Sequence, residues 1–266
     1  MTKAAPDVRN VACAEWAQRR SGAMVEAFAW GLLAASSLVL GAVIALTFSI
    51  GLRAIGLVMG FGAGVLISAV AFDLVEEALG TATGHGATLL GIFAGCAVFF
   101  GGDVLIDRAG GARRKSAAGS QSAESGLAIV LGTVLDGIPE SLVIGLTISE
   151  SGAVGAAYLA AVLISNVPEA LSSTSGLAAG GWRSSRILAM WTLIAVVSGL
   201  ASLVGYAAFQ HAPSDVVAFT LAFAAGAILT MLADTMMPEA YEHGGKLVGV
   251  VTTLGFALAL LIDQLD

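Results

Sequence analysis

Two six-residue segments near the middle of the chain combine oxygen-bearing side chains with a proline–glutamate pair. They are DGIPES, which begins at Asp136, and SNVPEA, which begins at Ser165. Their candidate ligands are Asp136, Glu140, Ser165, Asn166 and Glu169. In each segment the first residue and the glutamate are four positions apart, so they share a face if the segment is helical. Carboxylate, amide and hydroxyl oxygens are the ligands that hard divalent cations prefer.

The proline in each segment predicts a local break in a helix. Pro139 leaves the carbonyl of Leu135 without its helical donor, and Pro168 does the same for Ile164. Broken helices at membrane depth are tolerated where they line a cavity. The segments therefore predict an oxygen-rich cavity that holds a cation. The alternative is that the prolines are simple kinks and the acids are neutral, hydrogen-bonded structural groups.

The composition indicates a polytopic membrane protein. Of the 266 residues, 57% are hydrophobic and only 12% are charged, and the mean hydropathy is +0.90, which excludes an ordinary soluble domain. A membrane-spanning helix needs about 20 apolar residues. The fold class we predict is an all-α membrane protein with eight transmembrane helices in one domain, residues 24–266, after a polar N-terminal tail, residues 1–23. The predicted spans are 24–50, 54–79, 87–107, 126–149, 152–178, 187–210, 215–240 and 247–263.

The positions of Lys and Arg predict the orientation. Four of the twelve lie before the first span, and the other eight all fall in the loops after spans 1, 3, 5 and 7. Because basic residues favour the cytoplasmic side, these loops, including the one at about 108–125, are predicted to be cytoplasmic and both termini to lie outside. The basic N-terminal tail argues the other way, but the short loops carry more weight. We expect a plasma membrane of the bacterial type.

No basic residue lies within a predicted span, whereas several acids do. An acid at a helix centre costs about 2.5–3.5 kcal/mol on insertion scales, so Asp136, Glu140 and Glu169 would together cost roughly 8–10 kcal/mol. These acids must therefore be protonated, hydrated in a cavity, or neutralised by a cation.

The chain also contains internal repeats. FGAGVLISAVAFDLVEEA from Phe61 aligns without a gap with FAAGAILTMLADTMMPEA from Phe223, and DGIPESL aligns with SNVPEAL. The predicted topology makes these inverted repeats, a frequent transporter architecture with its site near the midplane. The alternative is a chance likeness of Gly/Ala-rich helices. The repeat also predicts an acidic group at each end of the path, outer Asp73 with Glu77 and inner Asp234 with Glu239.

At these residues the chain resembles the ZIP (ZRT/IRT-like) metal transporters. That family has eight spans, both termini outside, and the motifs H-N-x-P-E-G in span 4 and x-[ND]-x-P-E-G in span 5, which hold a binuclear metal site. Here Asp136 takes the place of the His and Gly137 that of the Asn, and Ser202 stands where the family has a span 6 glutamate. The resemblance implies a ZIP-like fold. The departures imply one metal site made of oxygen ligands, with less preference for zinc over manganese, iron(II) or magnesium.

We therefore expect transport of divalent metal cations, such as zinc, manganese or iron, through a carboxylate site near the midplane. The alternative function is a non-transporting metal sensor or a degenerate scaffold on the same fold. An enzyme is not expected, because the sequence holds no nucleophile–base set and no cofactor motif. The expected partners are a divalent metal ion, as substrate, and the lipid bilayer. We expect no prosthetic group and no nucleic acid, and we leave a homodimer open.

Overall fold

A computed structural model describes residues 8–108 and 125–265 of the chain. These residues form eight long helices and contain no strand, where consecutive α- and π-helical segments are counted as one helix. The helices are α1 (Val8–Thr47), α2 (Leu52–Thr81), α3 (His85–Ile106), α4 (Ser125–Ser151), α5 (Ala156–Ala179), α6 (Ser184–Phe209), α7 (Ser214–Gly244) and α8 (Leu247–Asp263). Helices suit such an apolar chain because each satisfies its own backbone hydrogen bonds. Most of the connection between α3 and α4 lies outside the described residues, and the other connections are short. Three of these short connections contain a glycine with positive φ: Gly152, Gly181 and Gly245.

Six of these helices are long and apolar enough to cross a membrane, which makes the protein an all-α integral membrane protein. They are α1 (from Ser21), α2, α3 (from Gly86), α4 (from Val130), α6 and α7. Helix α5 is not among the six, because its serines, Asn166 and Glu169 lower its mean hydropathy. Helix α8 is apolar but has only 17 residues.

Helix α1 begins at Val8, and the part of it that is apolar enough to cross a membrane begins at Ser21, close to the end of the predicted polar tail at residue 23. Most of the predicted cytoplasmic loop of about 108–125 lies outside the described residues.

The helices pack into two groups of four. In the first bundle, α1 packs against α5 and α6, and α4 packs against α6. In the second bundle, α2 packs against α7 and α8, and α3 packs against α7. The bundles meet mainly where α2 contacts α5 and where α4 contacts α7. Exchanging α1 with α6, α2 with α7, α3 with α8 and α4 with α5 reproduces this set of contacts.

Glycines allow the helix backbones of the second bundle to approach each other closely. A Cβ on Gly64 of α2 would collide with the Thr252 carbonyl of α8, and one on Gly226 of α7 would collide with the Ile92 carbonyl of α3. Gly64 and Gly226 occupy the same position in the two aligned sequence repeats. Small residues allow such close backbone approach between membrane helices. The two repeats thus use the same residue for the same kind of contact.

Both long helices of the second bundle contain a stretch of π-helix. It covers Val70–Glu76 in α2 and Leu232–Met236 in α7. The first residues of these stretches, Val70 and Leu232, align with each other in the sequence repeat. A π-helical turn rotates all following side chains relative to an α-helix and is frequent at functional sites. The sequence pattern did not predict either stretch.

Candidate cation site

A small cavity inside the first bundle, called the central cavity below, is lined by the two glutamates of the proline–glutamate pairs. Glu140 comes from α4 and Glu169 from α5, and both are buried, at 4% and 8% exposed. The cavity volume is ≈ 10 Å³, which is about the space that one water molecule requires. The structure therefore brings two acids from different helices to one enclosed space.

The rest of the cavity wall adds neutral oxygen-bearing groups. Asn166 lines it, and its amide nitrogen donates a hydrogen bond to the Ala34 carbonyl of α1 at 3.2 Å. Three hydroxyl residues complete the polar part of the wall: Thr133, Ser141 and Ser198. Sequence analysis had missed these three. Ser141 directly follows Glu140 and Thr133 precedes Asp136 by three residues, so spacing could have suggested both, whereas only the fold places Ser198 here.

Asp136 lies apart from this cavity. It is buried, at 4% exposed, and it borders a narrow gap with α3 and α7 of the second bundle. The residues that share the gap are Phe99, Leu135, Ala227, Ile228 and Met231. The expected convergence of Asp136 with Glu140 and Glu169 on one cavity is thus not observed. In the described parts of the chain, no three His, Cys, Asp or Glu side chains are grouped so that they could hold a metal ion.

Ser165, the counterpart of Asp136 in the second segment, also lies at the boundary between the bundles. Its Cα is 3.3 Å from the position that a Cβ on Gly62 of α2 would take. Its hydroxyl donates a hydrogen bond to the Val162 carbonyl in the preceding turn, at 3.1 Å. Both segments therefore place their first residue at the second bundle and their glutamate at the central cavity.

Ser202, at the position of the family's span 6 glutamate, has a packing role. It is fully buried, and its hydroxyl donates a hydrogen bond of 2.7 Å to the Ala27 carbonyl of α1. Gly31 allows the close approach, because a Cβ there would lie 2.5 Å from the Cβ of Ser202. This position holds α1 against α6 and does not line the cavity.

The buried Tyr158 interacts both with Glu140 of the central site and with Asp73, one of the two predicted outer acids. This tyrosine is buried, and its hydroxyl donates to the Glu140 backbone carbonyl at 3.3 Å. Tyr158 is within electrostatic range of both Glu140 and Asp73. Glu77, one turn beyond Asp73, is within electrostatic range of Glu150 near the end of α4.

The predicted inner acids have different surroundings in the structure. Glu239 lies beside His243 one turn later, with 3.1 Å between the carboxylate oxygen and Nε2, and both side chains are largely buried. Asp234 is exposed. An inner acidic group made by these two residues stays a prediction.

No protein-family model and no curated protein matches this chain. The resemblance to the ZIP transporters therefore stays a prediction from the sequence motifs.

Proposed function

We propose that the protein transports divalent metal cations across a membrane and that Glu140 and Glu169 are the central ligands. The observation that supports this most strongly is their shared, buried cavity. Among the residues that the structure describes, no basic one lines that cavity. Two carboxylates within a membrane protein are costly to keep ionised, and a divalent cation between them offsets this cost.

The wall chemistry supports cations that accept oxygen ligands. The polar groups of the wall are two carboxylates, one amide and three hydroxyls, and within the described part of the chain no His or Cys lines it. Such a set favours manganese, iron(II) or magnesium over zinc when compared with an imidazole site. We propose that Asp136 and Ser165, which border the second bundle, join the ligand set when the bundles change position.

We further propose eight membrane spans arranged as inverted repeats, with α5 and α8 as the remaining two. Helix α5 need not be strongly apolar, because it is largely covered by its neighbours, and 15 of its 24 residues are buried. The exchangeable helix contacts and the aligned π-helical stretches support the repeat. In such architectures a site at the repeat interface opens to each side in turn. The small size of the central cavity requires such a movement for an ion to enter.

Uptake into proteoliposomes tests the proposal. Purified protein is reconstituted, and the entry of zinc, manganese, iron(II) and magnesium is followed with a trapped fluorescent indicator. We expect Glu169→Ala and Glu169→Gln to lower the uptake of every transported cation by at least about tenfold, since losing one charged ligand removes more than about 1.4 kcal/mol of binding. Glu26→Gln, at an exposed acid of α1, is the control and should transport normally. Normal uptake by both Glu169 variants would contradict the proposal.

The alternative function is a membrane metal sensor or a scaffold on the same fold. The closed central cavity and the packing role of Ser202 favour this alternative. A sensor would be stabilised against heat by a divalent cation in a manner that depends on Glu140 and Glu169, yet would show no uptake. Measuring thermal stability and uptake on the same preparations therefore separates the two functions.

A further inference from the structure

The connection between α5 and α6 forms a groove that has no part in the proposed transport path. Its walls are Gly180, Gly181, Trp182, Arg183, Ser185 and Arg186, and its volume is ≈ 580 Å³. Two of the six lining residues are arginines and none is acidic. The groove is therefore a positively charged surface at the end of a helix that is apolar enough to cross a membrane.

The two arginines are available for an anion. Both are exposed, and Arg186 stacks on the indole ring of Trp182, with its guanidinium carbon 4.1 Å from the ring centroid. Stacking on an aromatic face holds a guanidinium in place through a cation–π interaction and leaves its edge free to bind a phosphate through two hydrogen bonds.

Backbone geometry adds donors to the same surface. Gly181 has φ of +83°, which turns the chain sharply before α6 begins at Ser184. Arg183 precedes the helix without capping it by its side chain, and among the described residues the Ser184 and Ser185 amides have no hydrogen-bond acceptor. Free amides at a helix N-terminus favour an anion.

We propose that this groove binds the phosphate group of an anionic phospholipid of the surrounding membrane. The groove lies at the end of a membrane helix, where lipid headgroups are found, and tryptophan and arginine are typical of that level. The loop belongs to the side predicted to be cytoplasmic, where anionic lipids attract basic groups. A free phosphate ion has the same chemistry, and the experiment distinguishes the two sources.

Native mass spectrometry of the full chain in detergent micelles tests the site. Equal amounts of phosphatidylglycerol and phosphatidylcholine are added, and the lipid that stays bound is counted. We expect the unaltered protein to retain phosphatidylglycerol preferentially and R183Q/R186Q to retain it roughly tenfold less, since two charge-assisted contacts are lost. R183K/R186K keeps both positive charges but lacks the planar guanidinium groups that donate two parallel hydrogen bonds. Its retention of phosphatidylglycerol should therefore fall between those of the other two proteins.

The matched control is R53Q/K246Q, which removes two exposed basic residues from the other loops predicted to lie on the same side. This variant should retain phosphatidylglycerol as the unaltered protein does. Equal retention by R183Q/R186Q, or an equal loss in the control, would overturn the site. If inorganic phosphate binds the unaltered protein as well as the lipid does and displaces it, the lipid assignment is wrong. All four positions are exposed, so the fold should survive these changes, and size-exclusion chromatography of each variant verifies this.

Discussion

Asp136 and Glu140 are four residues apart on α4, yet they border different spaces. Four residues of an α-helix turn through slightly more than one full rotation, so the two side chains lie side by side on one helix face. Helix α4 contacts α6 of its own bundle and α7 of the other. The boundary between the two bundles therefore runs along the helix face that carries Asp136 and Glu140. Spacing alone predicted the shared face but could not predict a boundary that depends on the neighbouring helices.

A substitution at Asp136 tests whether this residue joins the site during transport. We expect Asp136→His to shift selectivity toward zinc, because imidazole nitrogen suits zinc better than a carboxylate does. Competition between zinc and manganese for uptake into proteoliposomes measures the shift. Asp103→His, which alters another buried acid outside the central cavity, is the control and should leave the ratio unchanged. An unchanged ratio in Asp136→His would mean that Asp136 stays between the bundles and is not a ligand.

The helices themselves follow closely from the sequence. The predicted segment 215–240 corresponds to Ser214–Gly244, and 187–210 corresponds to Ser184–Phe209. These segments were predictable because apolar length is a strong signal. The π-helical stretches were not predictable, because these helices are apolar on most sides, so a rotation of the following side chains leaves no clear mark in the sequence. The position of Ser198 on the cavity was also hidden, since it depends on how α6 lies against α4 and α5.

The glycine contacts give a prediction about stability at the level of helix pairs. Gly64→Val should loosen α2 from α8, because its added Cβ would meet the Thr252 carbonyl, which belongs to the backbone and cannot move aside. Overpacking of this kind costs about 1–3 kcal/mol or more. The temperature at which half of the detergent-solubilised protein aggregates should fall by several degrees. Gly249→Val is the matched control on α8, where nothing lies within 4 Å of the new Cβ. Equal stability of the two variants would show that the α2–α8 contact tolerates a side chain.

At the scale of the whole molecule, the orientation in the membrane remains a prediction from charge. Ser116 belongs to the basic segment after α3, which lies outside the described residues. With the native cysteines replaced, Ser116→Cys should react with a membrane-impermeant maleimide only after the cells are permeabilised. Gly84→Cys, in the exposed connection between α2 and α3, should react in intact cells and is the control. The reverse pattern of labelling would invert the proposed topology.

Because the helices form two bundles, we expect the proposed transport to require one bundle to move against the other. A disulfide between Gly62→Cys of α2 and Ser165→Cys of α5 would join the bundles. The Ser165 Cα is 3.3 Å from the position of a Cβ on Gly62, so the two Cα atoms lie within the distance that a disulfide can bridge. In a chain whose Cys13 and Cys96 are replaced by serine, oxidation should stop cation uptake and a reducing agent should restore it. Uptake under reducing conditions gives the baseline and accounts for the loss of the Ser165 hydroxyl.

The matched control joins two helices of the same bundle, through Gly60→Cys of α2 and Val248→Cys of α8. A Cβ on Gly60 would lie 2.8 Å from a Cγ of Val248, the atom whose place a cysteine sulfur would take, so this pair should also form a disulfide. Because α2 and α8 move together in the proposed mechanism, oxidation of this pair should leave uptake unchanged. If complete cross-linking of Cys at positions 62 and 165 also leaves uptake unchanged, the bundles do not move against each other there. An ion would then have to reach Glu140 and Glu169 through rearrangement within the first bundle alone.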